Sequence, residues 1–210
     1  FKGSYGHVFS LEVYDDKLQR RLDDIGLDVF PELISYFIQQ ALYIDSAKLS
    51  DKALGVLKGL EGLEDEIEQQ LRVSALRNIH KSATSFGYDT KLRFRKTRYN
   101  QTTLASFDEE TVGVLSTNKA RKIKITARVT RLNIFTGNGR LVVKGENETV
   151  AFGFPSGYKF QTKAVKRKLS ENLNENNGVP DKDSKYLSLE VTPLKQQDGK
   201  TVKFLIAGID

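Results

Sequence analysis

A long stretch of alternating polar and apolar residues in the second half of this chain limits the folds that it can adopt. From Lys122 to Thr130 the apolar side chains fall at every second position, which is the period of a β-strand with one buried face. The alternation then changes parity, because Leu132 and Ile134 continue the apolar side one residue out of step. An extra bulge residue inside a strand has this effect and also bends the strand. The sequence therefore predicts a long, bent strand.

Four further strands and one helix are predicted after this bent strand. The Asn-Gly pair at 138–139 predicts a tight hairpin, because both residues accept the positive φ that such turns require. Apolar residues then alternate in each later strand, and Val165, Leu169 and Leu173 have helical spacing. The predicted elements are, in order, a second strand at 141–143, a third at 150–154, a helix near 162–175, a fourth strand at 187–191 and a fifth at 202–206.

This order of elements resembles that of the five-stranded oligonucleotide/oligosaccharide-binding (OB) barrel. In that fold a bent first strand serves both sheets, and a helix lies between the third and fourth strands. The resemblance covers about residues 121–209 and rests on element order, since no diagnostic motif lies within it. An SH3-like barrel with an inserted helix is the alternative. We therefore expect an α+β chain, with a helical N-terminal region and a five-stranded OB-like β-barrel (β-β-β-α-β-β) at the C-terminus.

The first half of the chain has helical periodicity. Apolar residues recur at helical spacing between 31 and 44, and Ser50 is a candidate N-cap for a second helix. Acidic residues at 64–66 suit the start of a third helix, and Gly87 suits a helix end. We expect the helices within 31–82 to provide self-association into an oligomer or a surface for a protein partner.

The period changes again after the predicted helices. A strand is predicted near 88–99, where basic residues alternate with apolar ones and so face water. The stretch 101–118 has no clear period, and we interpret it as a linker. These boundaries predict a mainly helical region at 1–118 and a basic barrel at 119–210.

The positive charge of the chain is concentrated in the predicted barrel. Between Lys119 and Lys168 there are thirteen lysine or arginine residues and two acidic ones, a local net charge of +11, whereas the whole chain carries +6. Acidic residues outnumber basic ones in 1–87 and in 169–210. Such a basic patch is typical of proteins that hold a polyanion, because each neutralised phosphate releases counterions. A solvated basic face is the alternative interpretation.

We predict that the barrel binds nucleic acid, with single-stranded or irregular DNA or RNA favoured. A basic groove with exposed rings holds single strands with little sequence preference, and each base stacked on an aromatic side chain contributes about 1–3 kcal/mol. The candidate nucleic-acid-binding residues are Lys122, Lys124, Arg128, Arg140, Lys144, Tyr158, Lys159, Phe160 and Lys163. Two other functions stay open: a scaffold module that holds an acidic protein partner, and an accessory subunit of an enzyme complex.

The sequence offers no recognisable catalytic or metal-binding motif. The two histidines, His7 and His80, are far apart in sequence, there is no cysteine, and no glycine-rich phosphate loop is followed by Lys-Ser or Lys-Thr. We therefore expect no enzyme activity, no cofactor and no metal. The lack of cysteine fits a cytoplasmic protein, and no apolar run approaches the roughly 20 residues of a spanning helix, so we expect no contact with a membrane.

Overall fold

The structure is a computed structural model, and it describes residues 6–10, 12–60 and 63–210. Helices dominate the N-terminal part, and the C-terminal part is a closed five-stranded mixed β-barrel with a sixth strand outside it. The predicted α+β class, with helices preceding an OB-like barrel, is confirmed. Within the described ranges, no helix is both long enough and apolar enough to cross a bilayer.

The helices of the first half follow the predicted pattern. Ser50 caps its helix by accepting a hydrogen bond from the Ala53 amide, and Gly87 ends another helix in the left-handed conformation, at φ +65°. A π-helical turn, Leu71–Ala75, joins two of the helices. The helices are α1 (Asp16–Ile25), α2 (Val29–Ala41), α3 (Asp51–Gly59), α4 (Glu64–Gln70), α5 (Leu76–Ile79), α6 (Lys81–Phe86), α7 (Glu109–Leu115) and, within the barrel, α8 (Lys163–Asn176).

Helix α2 is the centre of the helical region because it is buried on two sides. One side packs against Ala53 and Leu57 of α3, both of which are fully buried. The other side packs against Leu76 of α5 and against Ala105 and Phe107. The apolar stripe predicted for this helix is therefore used within the chain.

The predicted linker at 101–118 is wrong, because this segment is folded. The predicted basic strand forms as β1 (Thr90–Arg95), and it pairs in antiparallel fashion with β2 (Gln101–Phe107), which α7 follows. A bulge opposite Leu92 places both Leu104 and Ala105 on the buried side of this ribbon. Two consecutive buried residues interrupt the period of two, which is why the strand had no clear signal in the sequence.

The barrel closes in the order β7-β4-β5-β6-β8-β7, in which the β6–β8 pair is parallel and the other pairs are antiparallel. Its interior includes Ala127, Val129, Leu141, Phe152 and Leu169, each at most 1% exposed. The strands are β3 (Asn118–Lys119), which lies outside the barrel on β7, and β4 (Ile123–Leu132), β5 (Gly139–Val143), β6 (Thr149–Gly153), β7 (Leu187–Lys195) and β8 (Thr201–Ile209).

The bulge predicted in the first barrel strand is present. The register of β4 against β5 shifts between Val129 and Arg131, and Leu132 then packs against the barrel core. Ile134 was expected to continue this apolar side, but it is 61% exposed because it lies in the loop beyond β4. The parity change therefore located the bulge correctly, whereas the length of the strand was overestimated.

Helix α8 lies between the third and fourth barrel strands, as predicted, and it packs against β4. Strand β4 pairs with β7 only as far as Ala127. Beyond that point the buried side chain of Asn172, from α8, accepts a hydrogen bond from the Val129 amide at 2.8 Å. The same side chain donates to the Lys185 carbonyl at 3.0 Å. Asn172 therefore replaces a strand partner and fixes the helix on the barrel.

Candidate nucleic-acid interface

Arg128 is an outward residue of β4, as predicted, but another segment covers it. Its guanidinium donates to the Ser184 hydroxyl at 2.9 Å and to the Asp181 carboxylate at 2.6 Å. The Arg128 side chain is only 16% exposed, because the loop between α8 and β7 packs over it. Its charge is therefore compensated within the chain, and we leave it out of the proposed contact surface.

Arg140 joins the barrel to the helical region. Its guanidinium donates to the Tyr43 carbonyl at 2.9 Å, just beyond the end of α2, and to the carbonyl of Thr149 on β6 at 2.9 Å. Burial lowers the pKa of this guanidinium, although it stays charged. Arg140 is thus an anchor between the two parts of the chain, and we also leave it out of the contact surface.

Lys122 and Lys124 are exposed, and both have acidic partners. The Lys122 ammonium lies 3.5 Å from Glu190, and that of Lys124 lies 2.9 Å from Asp210. The hydrogen bond to Asp210 raises the pKa of Lys124. Because these pairs are exposed they add little stability, but they neutralise the positive charge locally.

Tyr158 was predicted to offer a ring for base stacking, but it is 8% exposed. Its ring lies 5.6 Å from that of Phe154, and it also covers Gly137, in the loop between β4 and β5. Gly137 has φ +72°, and a Cβ there would overlap the Tyr158 ring. Tyr158 is therefore part of the packing between two loops, which the sequence could not distinguish from an exposed loop position.

The remaining candidates, Lys144, Lys159, Phe160 and Lys163, are exposed. In the part of the chain that the structure describes, none of the three lysines forms an ion pair. Lys144 follows β5, at the end of that strand remote from Gly139, and its ammonium lies 5.6 Å from the Tyr186 ring. The structure thus separates Lys144 from the other three.

The other three candidates cluster with two neighbours where the chain leaves β6 and enters α8. We call this cluster the loop patch, and its members are Tyr158, Lys159, Phe160, Lys163 and Lys166. The Lys159 ammonium lies 5.3 Å from the centroid of the Phe160 ring, which is 70% exposed. The Lys166 ammonium lies 4.6 Å from the Tyr158 ring. The sequence did not select Lys166, because its helical position suggested a solvated face.

The start of α8 adds to the positive potential of the loop patch. Lys163 and Lys166 are three residues apart and so share a helix face, and the first turn contains no acidic residue. Cations at a helix N-terminus face the positive end of the helix dipole, which is unfavourable without a neighbouring anion. A bound phosphate would therefore be stabilised by both the lysines and the dipole.

The helical region covers one face of the barrel, which the sequence did not predict. Arg131 donates to Asp45 and to the Ser46 carbonyl, in the segment between α2 and α3. In the loop between β4 and β5, the side-chain amide of Asn133 donates to the Tyr36 hydroxyl of α2 at 3.3 Å. OB barrels use the face of their second and third strands and this first loop for oligonucleotides. Here helices occupy that location, so the exposed candidates lie elsewhere on the barrel.

A buried charge network lies within this covered face. Glu68 of α4 accepts a hydrogen bond from Nδ2 of the Asn138 side chain at 3.1 Å, and the Lys203 ammonium of β8 donates to Oδ1 of the same side chain at 3.3 Å. Lys203 and Arg72 also lie 5.0 and 4.5 Å from the ring of Tyr43. Burial raises the pKa of Glu68 to about 7 and lowers that of Lys203. Lys203 occupies an outward strand position, so the sequence had no signal for its burial.

No arrangement for metal chemistry is found among residues 6–10, 12–60 and 63–210, where no group of three or more His, Asp or Glu side chains is placed to hold an ion. His80 is buried, and its two ring nitrogens lie 2.6 Å from the Leu76 carbonyl and 2.9 Å from the Thr111 hydroxyl. These contacts tie α5 to α7, which gives His80 a structural role.

Comparisons with known proteins offer no relative from which a function can be transferred. A scan against protein-family models, a search of curated proteins and a search of solved structures each found no match to this chain. The geometry and charge of the side chains are therefore the basis for assigning a function.

Proposed function

We propose that this protein binds nucleic acid, with single strands favoured, and that the loop patch is the contact surface on the barrel. The observation that carries the proposal is the pairing of unneutralised lysines with aromatic rings. Lys159 lies beside the exposed ring of Phe160. Lys163 and Lys166 lie at the N-terminus of α8, where the first turn contains no acidic residue. Cytoplasmic location and the absence of catalysis stay predictions.

The two kinds of side chain have separate tasks in this proposal. The lysines neutralise phosphates, which gives affinity without reading sequence. The Phe160 ring offers a stacking surface to an unpaired base, which duplex DNA does not present. A patch with both properties fits a flexible single strand better than it fits a regular duplex.

An acidic protein partner is the second candidate, and one observation favours it. Ile134 and Phe135, in the loop between β4 and β5, are 61% and 37% exposed. Gly137 of the same loop contacts Tyr158, so these apolar side chains belong to a loop that packs on the loop patch. Apolar groups beside charged ones are typical of protein interfaces.

Substitutions with equal changes of charge test the proposal. We compare Lys163→Gln/Lys166→Gln with the control Lys122→Gln/Lys124→Gln, whose lysines already have acidic partners. Fluorescence anisotropy with single-stranded DNA and RNA gives the dissociation constant at several salt concentrations. Loss of two phosphate contacts should reduce the log–log salt slope by about 1.4. The control should keep the slope of the unmodified protein.

The stacking role of Phe160 has a different signature. Phe160→Ala should weaken single-strand binding by about 1–3 kcal/mol, which is about 5- to 150-fold, and should leave the salt slope unchanged. Equal losses in the loop-patch and control lysine variants would contradict the proposed surface. If neither variant binds less tightly than the unmodified protein, while Ile134→Ser abolishes capture of an acidic protein, the second candidate replaces the first.

A further inference from the structure

The β1–β2 ribbon carries a second basic surface outside the barrel. Its exposed face is built from three cross-strand pairs, each of which joins a basic residue of β1 to an uncharged polar residue of β2. The pairs are Lys91 with Ser106, Arg93 with Thr103, and Arg95 with Gln101, and all six residues are exposed. We call this surface the ribbon face.

Packing on the opposite side fixes the orientation of the ribbon face. Leu92, Ala105 and Phe107 belong to a buried cluster with residues of α2, and the Ser35 hydroxyl of α2 donates to the Leu104 carbonyl at 2.7 Å. Leu104 is the extra residue of the bulge in β2. Because of it, Thr103 and Ser106 lie on the same side of the ribbon although they are three residues apart in sequence. The cations are thus held on a rigid support.

The charge of the ribbon is not compensated. Between residues 90 and 107 there are five lysine or arginine residues and no acidic residue. Lys96 forms an ion pair with Asp28, whereas Lys91, Arg93 and Arg95 have no acidic partner in the described ranges of the chain. Arginine forms paired hydrogen bonds with phosphate oxygens, which distinguishes this surface from a face of solubilising lysines.

We propose that the ribbon face binds the phosphate backbone of a nucleic-acid duplex. Guanidinium groups flanked by hydroxyl and amide donors are the side chains that contact phosphates and sugars. A two-stranded ribbon fits the major groove of B-DNA, which is about 12 Å wide. The six residues of the ribbon face include no aromatic ring, and the exposed Tyr99 lies in the turn that joins the two strands. This surface is independent of the loop patch, and either can bind without the other.

Variants of the full chain test the ribbon face with two probes, a blunt duplex and a single strand of matched length. Arg93→Gln/Arg95→Gln should weaken duplex binding by about tenfold or more at low salt and reduce the duplex salt slope by about 1.8. Single-strand binding should be unchanged. The matched control is Arg20→Gln/Arg21→Gln, because these exposed arginines of α1 lie between two pairs of aspartates, Asp15–Asp16 and Asp23–Asp24. Unchanged thermal unfolding excludes misfolding as the cause.

Several results would overturn this proposal. One is that the unmodified protein binds single strands at low salt but does not bind the duplex. Another is that the ribbon variant and the control variant lose duplex affinity equally. A third is ribbon-dependent binding to vesicles of anionic lipid that is tighter than binding to the duplex, which would assign the face to a membrane surface. Loss of single-strand binding in Lys163→Gln/Lys166→Gln, with duplex binding intact, supports two separate surfaces. Failure of the loop-patch proposal alone leaves the duplex result unaffected.

Discussion

Replacement of Lys203 by methionine probes the buried charges that join the helical region to the barrel. Lys203 is 8% exposed and Glu68 is 6% exposed. Burial is the main cause of the raised pKa of Glu68, and the positive charge of Lys203 is the main influence that opposes it, with Arg72 contributing less. Asp65 and Glu64 act in the same direction as burial. In Lys203→Met the carboxyl of Glu68 loses its principal cation, so its pKa should rise further.

The size of the effect follows from the pKa of Glu68, which rises from 4.5 to about 7 on folding. At about 1.4 kcal/mol per pKa unit, holding this carboxylate ionised in the fold costs about 3 kcal/mol. Because the folded pKa is the higher one, the contribution of Glu68 to stability is most favourable below the unfolded pKa. It then declines as the pH rises through the folded pKa. Without Lys203 this decline should extend to higher pH, so its total size should be larger.

Urea unfolding at about pH 5 and about pH 8 measures the free energy of unfolding under both conditions. Lys203→Met should lose about 1–1.5 kcal/mol more near pH 8 than near pH 5, because at pH 8 the folded variant must keep Glu68 protonated, whereas at pH 5 Glu68 is protonated in both folded proteins. Adding Glu68→Gln should recover most of the loss near pH 8, since glutamine still accepts from Asn138.

The control is Lys200→Met, an exposed lysine 3.5 Å from Glu110, which should change stability by less than about 1 kcal/mol. Equal losses at both pH values, or no recovery in the double variant, would show that Lys203 does not compensate the charge of Glu68.

Two further predictions concern the barrel. Asn172→Leu leaves the Val129 amide without its acceptor, so it should cost about 1–3 kcal/mol in urea unfolding and accelerate hydrogen exchange at that amide. Retained protection at that amide would contradict the role given to Asn172. Gly137→Ala should destabilise by more than about 1 kcal/mol, because the backbone is left-handed and the Tyr158 ring fills the space. Gly178→Ala is its control, with φ +74° but open space, and an equal loss there would show that the ring contact is unimportant.

The barrel was predictable because each of its elements carries a local signal. Alternation marks every barrel strand, and the change of parity before Leu132 marks the bulge. The Asn-Gly pair lies at the first hairpin, but the tight turn predicted there is wrong: Gly139 belongs to β5 and pairs with Leu132, and Gly137 has the positive φ in a longer loop. Such signals depend only on neighbours in sequence, so they survive without knowledge of the tertiary fold. The β2 strand had no such signal, since Leu104 and Ala105 are both buried.

The candidate site was less predictable, because alternation tells which way a side chain points and not what covers it. Arg128 and Arg140 point outward, yet a loop covers the first and the helical region binds the second. Lys203 also has an outward position, and it is buried. Phe160 and Lys159 were identified correctly as exposed, whereas Tyr158 of the same loop is buried against Gly137. Long-range packing therefore decides which of the predicted cations are free to meet a ligand.

The salt dependence of single-strand binding to the unmodified chain shows whether this protein holds nucleic acid through unneutralised cations. Three lysines of the loop patch in contact with phosphates predict a log–log slope of roughly −2, with measurable binding at about 50 mM salt. Fluorescence anisotropy with labelled DNA and RNA oligonucleotides provides both quantities. We expect measurable binding at low salt that weakens steadily as salt is added. No binding at low salt, or binding that does not respond to salt, would contradict it.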